Sequence, residues 1–143
     1  MKIEIGSDHA GFQLKEEIKK HMQAQGHEVE DFGAYSEESC DYPDIAHPLA
    51  KSIIDGESEM GVVICGSGNG INMTMNKYAE IRSALCWNEE LAELARKHNN
   101  ANVLALPARF IELDVAKKCV SAFFKTDFEG GRHGKRVDKI ARK

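Results

Sequence analysis

The first apolar positions of the chain alternate, so "KIEI" at 2–5 reads as a short β-strand running into the turn "GSDHAGF". Over 11–25 the period changes, with Phe12, Leu14, Ile18 and Met22 at helical spacing. After Gly26 the cycle repeats: "HEVEDFG" alternates as a strand, and over 42–55 Tyr42, Ile45, Ala46, Leu49 and Ile53 share one helical face before Gly56. "MGVVIC" at 60–65 is a continuous apolar run, the pattern of a strand covered on both faces. Beyond it, 69–78 reads helical, "IRSALCW" strand-like, 88–97 helical, "NVLAL" strand-like and 111–124 helical.

Five strands alternating with helices predict an α/β fold, a three-layer sandwich in which a five-stranded parallel sheet is doubly wound and Rossmann-like, with right-handed crossovers. Ligands of such sheets gather outside the carboxyl ends of the strands, near the point where strand order reverses. Ser7, Asp8 and His9 follow the first strand, Cys65 to Gly70 the third, and Pro107 to Arg109 the fifth. Those positions form the shortlist for chemistry.

A length of 143 residues predicts one domain over 1–143, with 129–143 as a helical C-terminal extension after the "EGG" break. With 42% apolar and 29% charged residues and no Pro/Ser-rich tract, neither disorder nor a linker is expected. The net charge of −4 argues against a general nucleic-acid binder, which needs a basic excess to displace counterions. The locally basic "RHGKRVDKIARK" suits a small anion or a solvated helix face. The N-terminus lacks a signal-like apolar run, and nowhere do about 18 apolar residues follow one another, so a soluble cytoplasmic protein without membrane contact is expected. Cys40, Cys65, Cys86 and Cys119 include no close pair of zinc-knuckle or redox type, which predicts free thiols. No His, Cys and Asp grouping has metal-ligand spacing, so no metal and no cofactor are expected.

The stretch "VVICGSGNGINM" places a thiol at the mouth of a glycine-rich turn. Gly66, Gly68 and Gly70 alternate with Ser67 and Asn69, which fits neither the dinucleotide fingerprint nor the Gly-Lys-Ser/Thr ending of a nucleotide phosphate loop. Glycines accept positive φ and close approach, so successive N–H groups can converge on an oxyanion or phosphate at a helix start. The same dipoles favour a thiolate at Cys65, which then serves as base or nucleophile. The turn equally accommodates Cys65 as a small apolar residue at a strand end. Other groups have similarly plain alternatives: Asp8 as a helix N-cap with His9 in the first turn, His98 as a cation at a helix C-terminus, and Arg132 and Arg136 as a solvated i, i+4 pair.

Taken together, "GSDHAGFQLKEEI", "DYPDIA", "CGSGNG", "RKHNNANVLALPAR" and "EGGRHGKRV" resemble the B-type ribose-5-phosphate isomerase family, which includes the galactose-6-phosphate isomerase subunits. The resemblance implies a metal-free interconversion of an aldose phosphate and a ketose phosphate through an enediolate, in pentose phosphate metabolism. It assigns Cys65 as the base and His98 to opening of the furanose ring. Gly66, Ser67, Gly68, Asn69 and Gly70 would hold the developing oxyanion. Asp8, His9, Asn99 and Tyr42 would contact the sugar, and Arg109, Arg132 and Arg136 the phosphate. Some members place a glutamate base just after the glycine loop, where this chain has Ile71. The resemblance gives no catalytic role to His133, Cys40, Cys86 or Cys119. It also implies a homodimer or a dimer of dimers with the active site between chains. The alternatives are an isomerase of a six-carbon sugar phosphate, such as allose 6-phosphate or galactose 6-phosphate, and a non-catalytic sugar-phosphate-binding module.

Overall fold

The fold described below is a computed structural model covering residues 1–141. Strands β1 (Lys2–Ser7), β2 (Glu28–Asp31), β3 (Met60–Cys65), β4 (Ser83–Leu85) and β5 (Val103–Pro107) form one sheet in the order β2-β1-β3-β5-β4. Every pairing is parallel. Helices α1 (Phe12–Ala24), α2 (Tyr42–Ile54), α3 (Asn69–Met75), α4 (Glu89–Asn99) and α5 (Leu113–Lys125) follow the five strands in turn, and α6 (Arg132–Val137) closes the chain.

Side-chain alternation divides the core into two halves. Ile3, Ile5, Val62, Ile64, Leu104 and Leu106 pack with Ile18 and Met22 of α1, Ala92 and Ala95 of α4, and Cys119, Val120 and Phe123 of α5. Their neighbours in sequence, Val63, Cys65, Val103 and Ala105, point the other way and pack with α2 and α3 through Leu49, Ile53, Ile71 and Met75. This is the doubly wound, three-layer arrangement that right-handed crossovers impose on the strand order. Each fully buried Ile, Leu or Phe in either half contributes roughly 1.5–3 kcal/mol.

Several elements are shorter than their apolar patterns suggest. The run at 81–87 yields only a three-residue strand, because β4 is an edge with a single neighbour, β5. Its outer side is satisfied by a side chain: Ser83 N–H donates to Asn76 Oδ1 at 2.8 Å, and Asn76 Nδ2 donates to the Ser83 carbonyl at 2.9 Å. That amide takes the place of a sixth strand and blunts the edge. The C-terminal extension is helical only over Arg132–Val137, preceded by Gly130 and Gly131 at φ +70° and +56°, and positions 142 and 143 of that expected extension lie outside the described residues. No helix among the described residues is long and apolar enough to cross a membrane.

Candidate active site

The chain leaves β1 in one direction along the sheet, to β2, and leaves β2 in the other, to β3, so strand order reverses between β1 and β3. Outside the carboxyl ends of these two strands lies a cavity of about 530 Å³, within the usual range for small-molecule sites. It is walled by Asp8, Tyr42, Cys65, Gly66, Ser67, Asn69, Gly70, Met73, Arg109 and Phe110. Each of the three strand ends on the shortlist therefore supplies part of one wall, through Asp8, Cys65 with the glycine loop, and Arg109.

Each wall has a local cause. Cys65 ends β3 with its side chain on the α2/α3 face and is 4% exposed. Gly68 turns the chain at φ +74°, where a Cβ would lie 2.5 Å from Leu85 Cδ1 and 3.1 Å from the Leu106 carbonyl, so only glycine fits. At Gly70 a Cβ would meet the Tyr42 ring at 2.5 Å, so the missing side chain is the seat of that ring. The first backbone bond of α3 runs from Asn72 N–H to the Gly68 carbonyl, which leaves the N–H groups of Asn69, Gly70 and Ile71 ahead of the helical ladder. Asn69 N–H is 3.3 Å from Ser67 Oγ, within the loop itself.

Asp8 caps the 3-10 turn His9–Gly11 by accepting the Gly11 N–H at Oδ1, 3.1 Å, and is 7% exposed. The capping reading and the binding reading are compatible, since the second carboxylate oxygen is left for a ligand. His9 does not line the cavity: its Nδ1 accepts the Cys40 N–H at 3.2 Å, which places the ring proton on Nε2 in the neutral tautomer. Arg109 N–H donates to the Gly66 carbonyl at 2.9 Å, and its guanidinium lies over Gly66, with Nη1 3.3 Å from where a Cβ would sit. Among the described residues no carboxylate pairs with Arg109, Arg132 or Arg136.

The remaining residues that the resemblance assigns to the site lie elsewhere. Helix α4 returns from the carboxyl end of β4 to the start of β5, so His98 and Asn99 in its last turn stand at the amino edge of the sheet. Cys65 is in register with Pro107 at the other end of β5. Five residues of strand, about 16 Å, separate those edges. His98 is joined there by the C-terminal segment: Glu129 N–H donates to the Lys97 carbonyl at 3.1 Å, and His133 stacks on His98 with ring centroids 4.2 Å apart. Asn99 borders a second cavity, of about 480 Å³, together with Asn76, Arg82, Ser83 and Ile140. Its neighbours in the asparagine run are structural. Asn100 ends α4 at φ +48°, and the Asn102 side chain binds Arg82 N–H and the Glu80 carbonyl.

Two groupings escape the sequence reading. Met73 and Phe110 line the first cavity although both are large, apolar and exposed. Met73 follows Asn69 by four residues on α3, a spacing that signals a shared face. The grouping of His98, Glu129 and His133 has only a partial signal: Glu129 and His133 are four apart, but His98 comes from a segment about thirty residues away.

A family model described as Ribose/Galactose Isomerase matches residues 3–140. The chain is 45% identical to ribose-5-phosphate isomerase B of Escherichia coli (strain K12) over 139 residues, 97% of this chain and 93% of that protein. A solved ribose-5-phosphate isomerase B from Clostridium thermocellum superposes with TM-score 0.97 at 48% identity, covering 99% of this chain and 95% of that one. The structure of the Mycoplasma genitalium enzyme with bound ribulose-5-phosphate gives TM-score 0.93 at 42% identity, covering 99% and 94%. Sheet, glycine loop and whole-chain likeness agree: the chain belongs to the ribose/galactose isomerase family, among its B-type ribose-5-phosphate isomerases.

Proposed function

We propose that this protein interconverts ribose 5-phosphate and ribulose 5-phosphate through an enediolate, with Cys65 as the base. The observation that carries the reading is the thiol at the carboxyl end of β3, beside a glycine loop whose first residue lies under Arg109, an arginine without a carboxylate partner among the described residues. Binding alone needs the loop and the cation; it does not need the thiol. The relative with bound ribulose-5-phosphate supports the substrate class.

In the forward direction Cys65 Sγ takes the proton from C2 of the open-chain aldose. The electron pair left behind forms the C1–C2 double bond, and negative charge develops on O1, toward which the loop N–H groups would donate. Loss of one such donor typically costs about 3–4 kcal/mol of transition-state stabilisation. Return of the proton to C1, with transfer of the O2 proton to O1, gives the ketose. Ile71, fully buried against α2, replaces the glutamate found in some relatives and accepts no proton, which leaves the proton transfer to Cys65. Asp8 receives a sugar hydroxyl on its free oxygen and Tyr42 walls the sugar, while His9 stands outside the cavity, held by the Cys40 N–H. Arg109 meets the phosphate with Arg132 and Arg136, whose forked donors suit a dianion.

His98 opens the furanose ring by proton transfer, a duty suited to imidazole. Its place at the opposite edge of the sheet supports a homodimer in which His98, Asn99, Arg132 and Arg136 of one chain complete the Cys65 cavity of the other. Turnover on a panel of aldose phosphates tests the substrate: ribose 5-phosphate should be converted with the highest kcat/KM. A higher value with allose 6-phosphate or galactose 6-phosphate would move the assignment to a six-carbon substrate, and no turnover would leave a binding module.

A further inference from the structure

The group at the last turn of α4 has the makings of a metal site. His98 Nε2 lies 3.9 Å from Glu129 Oε1, and His133 Nε2 lies 3.6 Å from the same oxygen. One ligand atom from each of the three residues falls within 4.8 Å of the other two. Ligands of a tetrahedral zinc ion, at about 2.1 Å from the metal, stand about 3.4 Å from one another. The two nitrogen-to-oxygen separations thus need to close by only a few tenths of an ångström. The two imidazoles are stacked at 13° and must tilt toward each other, for which the 40% exposure of the His98 side chain leaves room. Backbone restraint holds the set together: Glu129 N–H is fixed to the Lys97 carbonyl at 3.1 Å, and His133 N–H to the Gly130 carbonyl at 3.0 Å.

We propose that His98, Glu129 and His133 form a binding site for one borderline divalent transition ion, zinc or cobalt, with water as the fourth ligand. Two imidazoles and one carboxylate are ligands that such ions prefer over magnesium or calcium, which take oxygen. Arg132 and Arg136 border the set and oppose a cation, so the ion is a visitor and not a resident. Its effect rests on the role given to His98 above: an ion on Nε2 removes the imidazole from ring opening, so the metal inhibits.

Titration of the chelator-treated enzyme with zinc chloride in a calorimeter should find one ion per chain, and His133→Asn and Glu129→Gln should each weaken binding at least tenfold. The cobalt complex should lack a thiolate-to-metal charge-transfer band, which excludes Cys65 as the ligand. Absence of binding, binding unchanged in both variants, or a thiolate band would overturn the site. Activity is read in parallel. Zinc inhibition that His133→Asn relieves agrees with both proposals, whereas full activity of the zinc-loaded enzyme leaves the site standing and overturns the role of His98.

Discussion

Four cysteines share one chain, and their surroundings separate them. Burial pushes the Cys86 thiol up to about 12, with Cys119 nearby adding to the effect, and burial pushes Cys119 up to about 11, with Glu89 adding to it. Both sit in the half-core on the α1 side and have no access to a ligand. Cys65 is almost as buried, so exposure does not distinguish it; its neighbours do, because its cavity also holds Asp8, the glycine loop and Arg109. Replacing Cys65 by Ala should therefore lower turnover by about 10²–10⁴-fold, the usual worth of a positioned base, while inorganic phosphate still binds at Arg109. Turnover, and uptake of solvent deuterium at the substrate carbon, measure this; uptake at the wild-type rate in the variant would reassign the base. Much of this site was legible in the sequence because strand ends and glycines are read locally. Phe110 and Met73 were not, since apolar residues at a polar sugar site carry no local mark.

At the scale of elements, alternation and helical spacing identified all five strands and the five helices that follow them, because burial on one or both faces leaves a period in the sequence. One buried position of α1 leaves no mark in that pattern. Lys15 lies among Phe12, Ile18 and Met22 and is fully buried, with Nζ 2.6 Å from Asp31 Oδ2 and 5.3 Å from the centre of the Phe12 ring. Hydropathy has no means of seeing a charge whose partner sits on another element. Burial alone would raise the Asp31 carboxyl, but Lys15, the Gly33 N–H at 2.8 Å and Lys19 together outweigh it and hold the group below its ordinary range. Its stabilising contribution is therefore complete above the unfolded value of about 3.9 and is lost as pH falls from there through the lowered folded value. Glu4 works in the opposite sense. Burial raises its carboxyl, Ser52 offsets this only in part, and the cost of its charge is relieved as pH falls through the raised value. Asp31→Ala should cost about 3–5 kcal/mol at neutral pH by leaving Lys15 buried without its counter-ion. Urea unfolding at a series of pH values checks this: the gap between variant and wild type should narrow below about pH 4, and a gap independent of pH would show that the pair contributes only packing.

For the whole molecule, the decisive fact is that the residues the resemblance assigns to the site occupy both edges of one sheet. The resemblance implies a site between chains, but the list of residues at strand ends does not by itself sort them by edge. The crossover rule does: a helix that starts beyond the carboxyl end of β4 must finish at the amino end of β5, and His98 is in its last turn. No rotamer carries an imidazole across the length of a strand, so Cys65 and His98 serve one substrate only if they come from different chains. A two-fold dimer then holds two sites, each with the thiol of one protomer and the imidazole of the other. Two inactive variants, Cys65→Ala and His98→Asn, are unfolded, mixed in equal amounts and refolded. Random pairing makes half of the dimers hybrid. In a hybrid both lesions fall in one site and the other is intact, so the mixture should regain roughly a quarter of wild-type activity. If each chain built its own site, every site would keep one lesion and the mixture would stay inactive. An inactive mixture in which mass measurement finds the hybrid dimer would therefore exclude a site shared between Cys65 and His98.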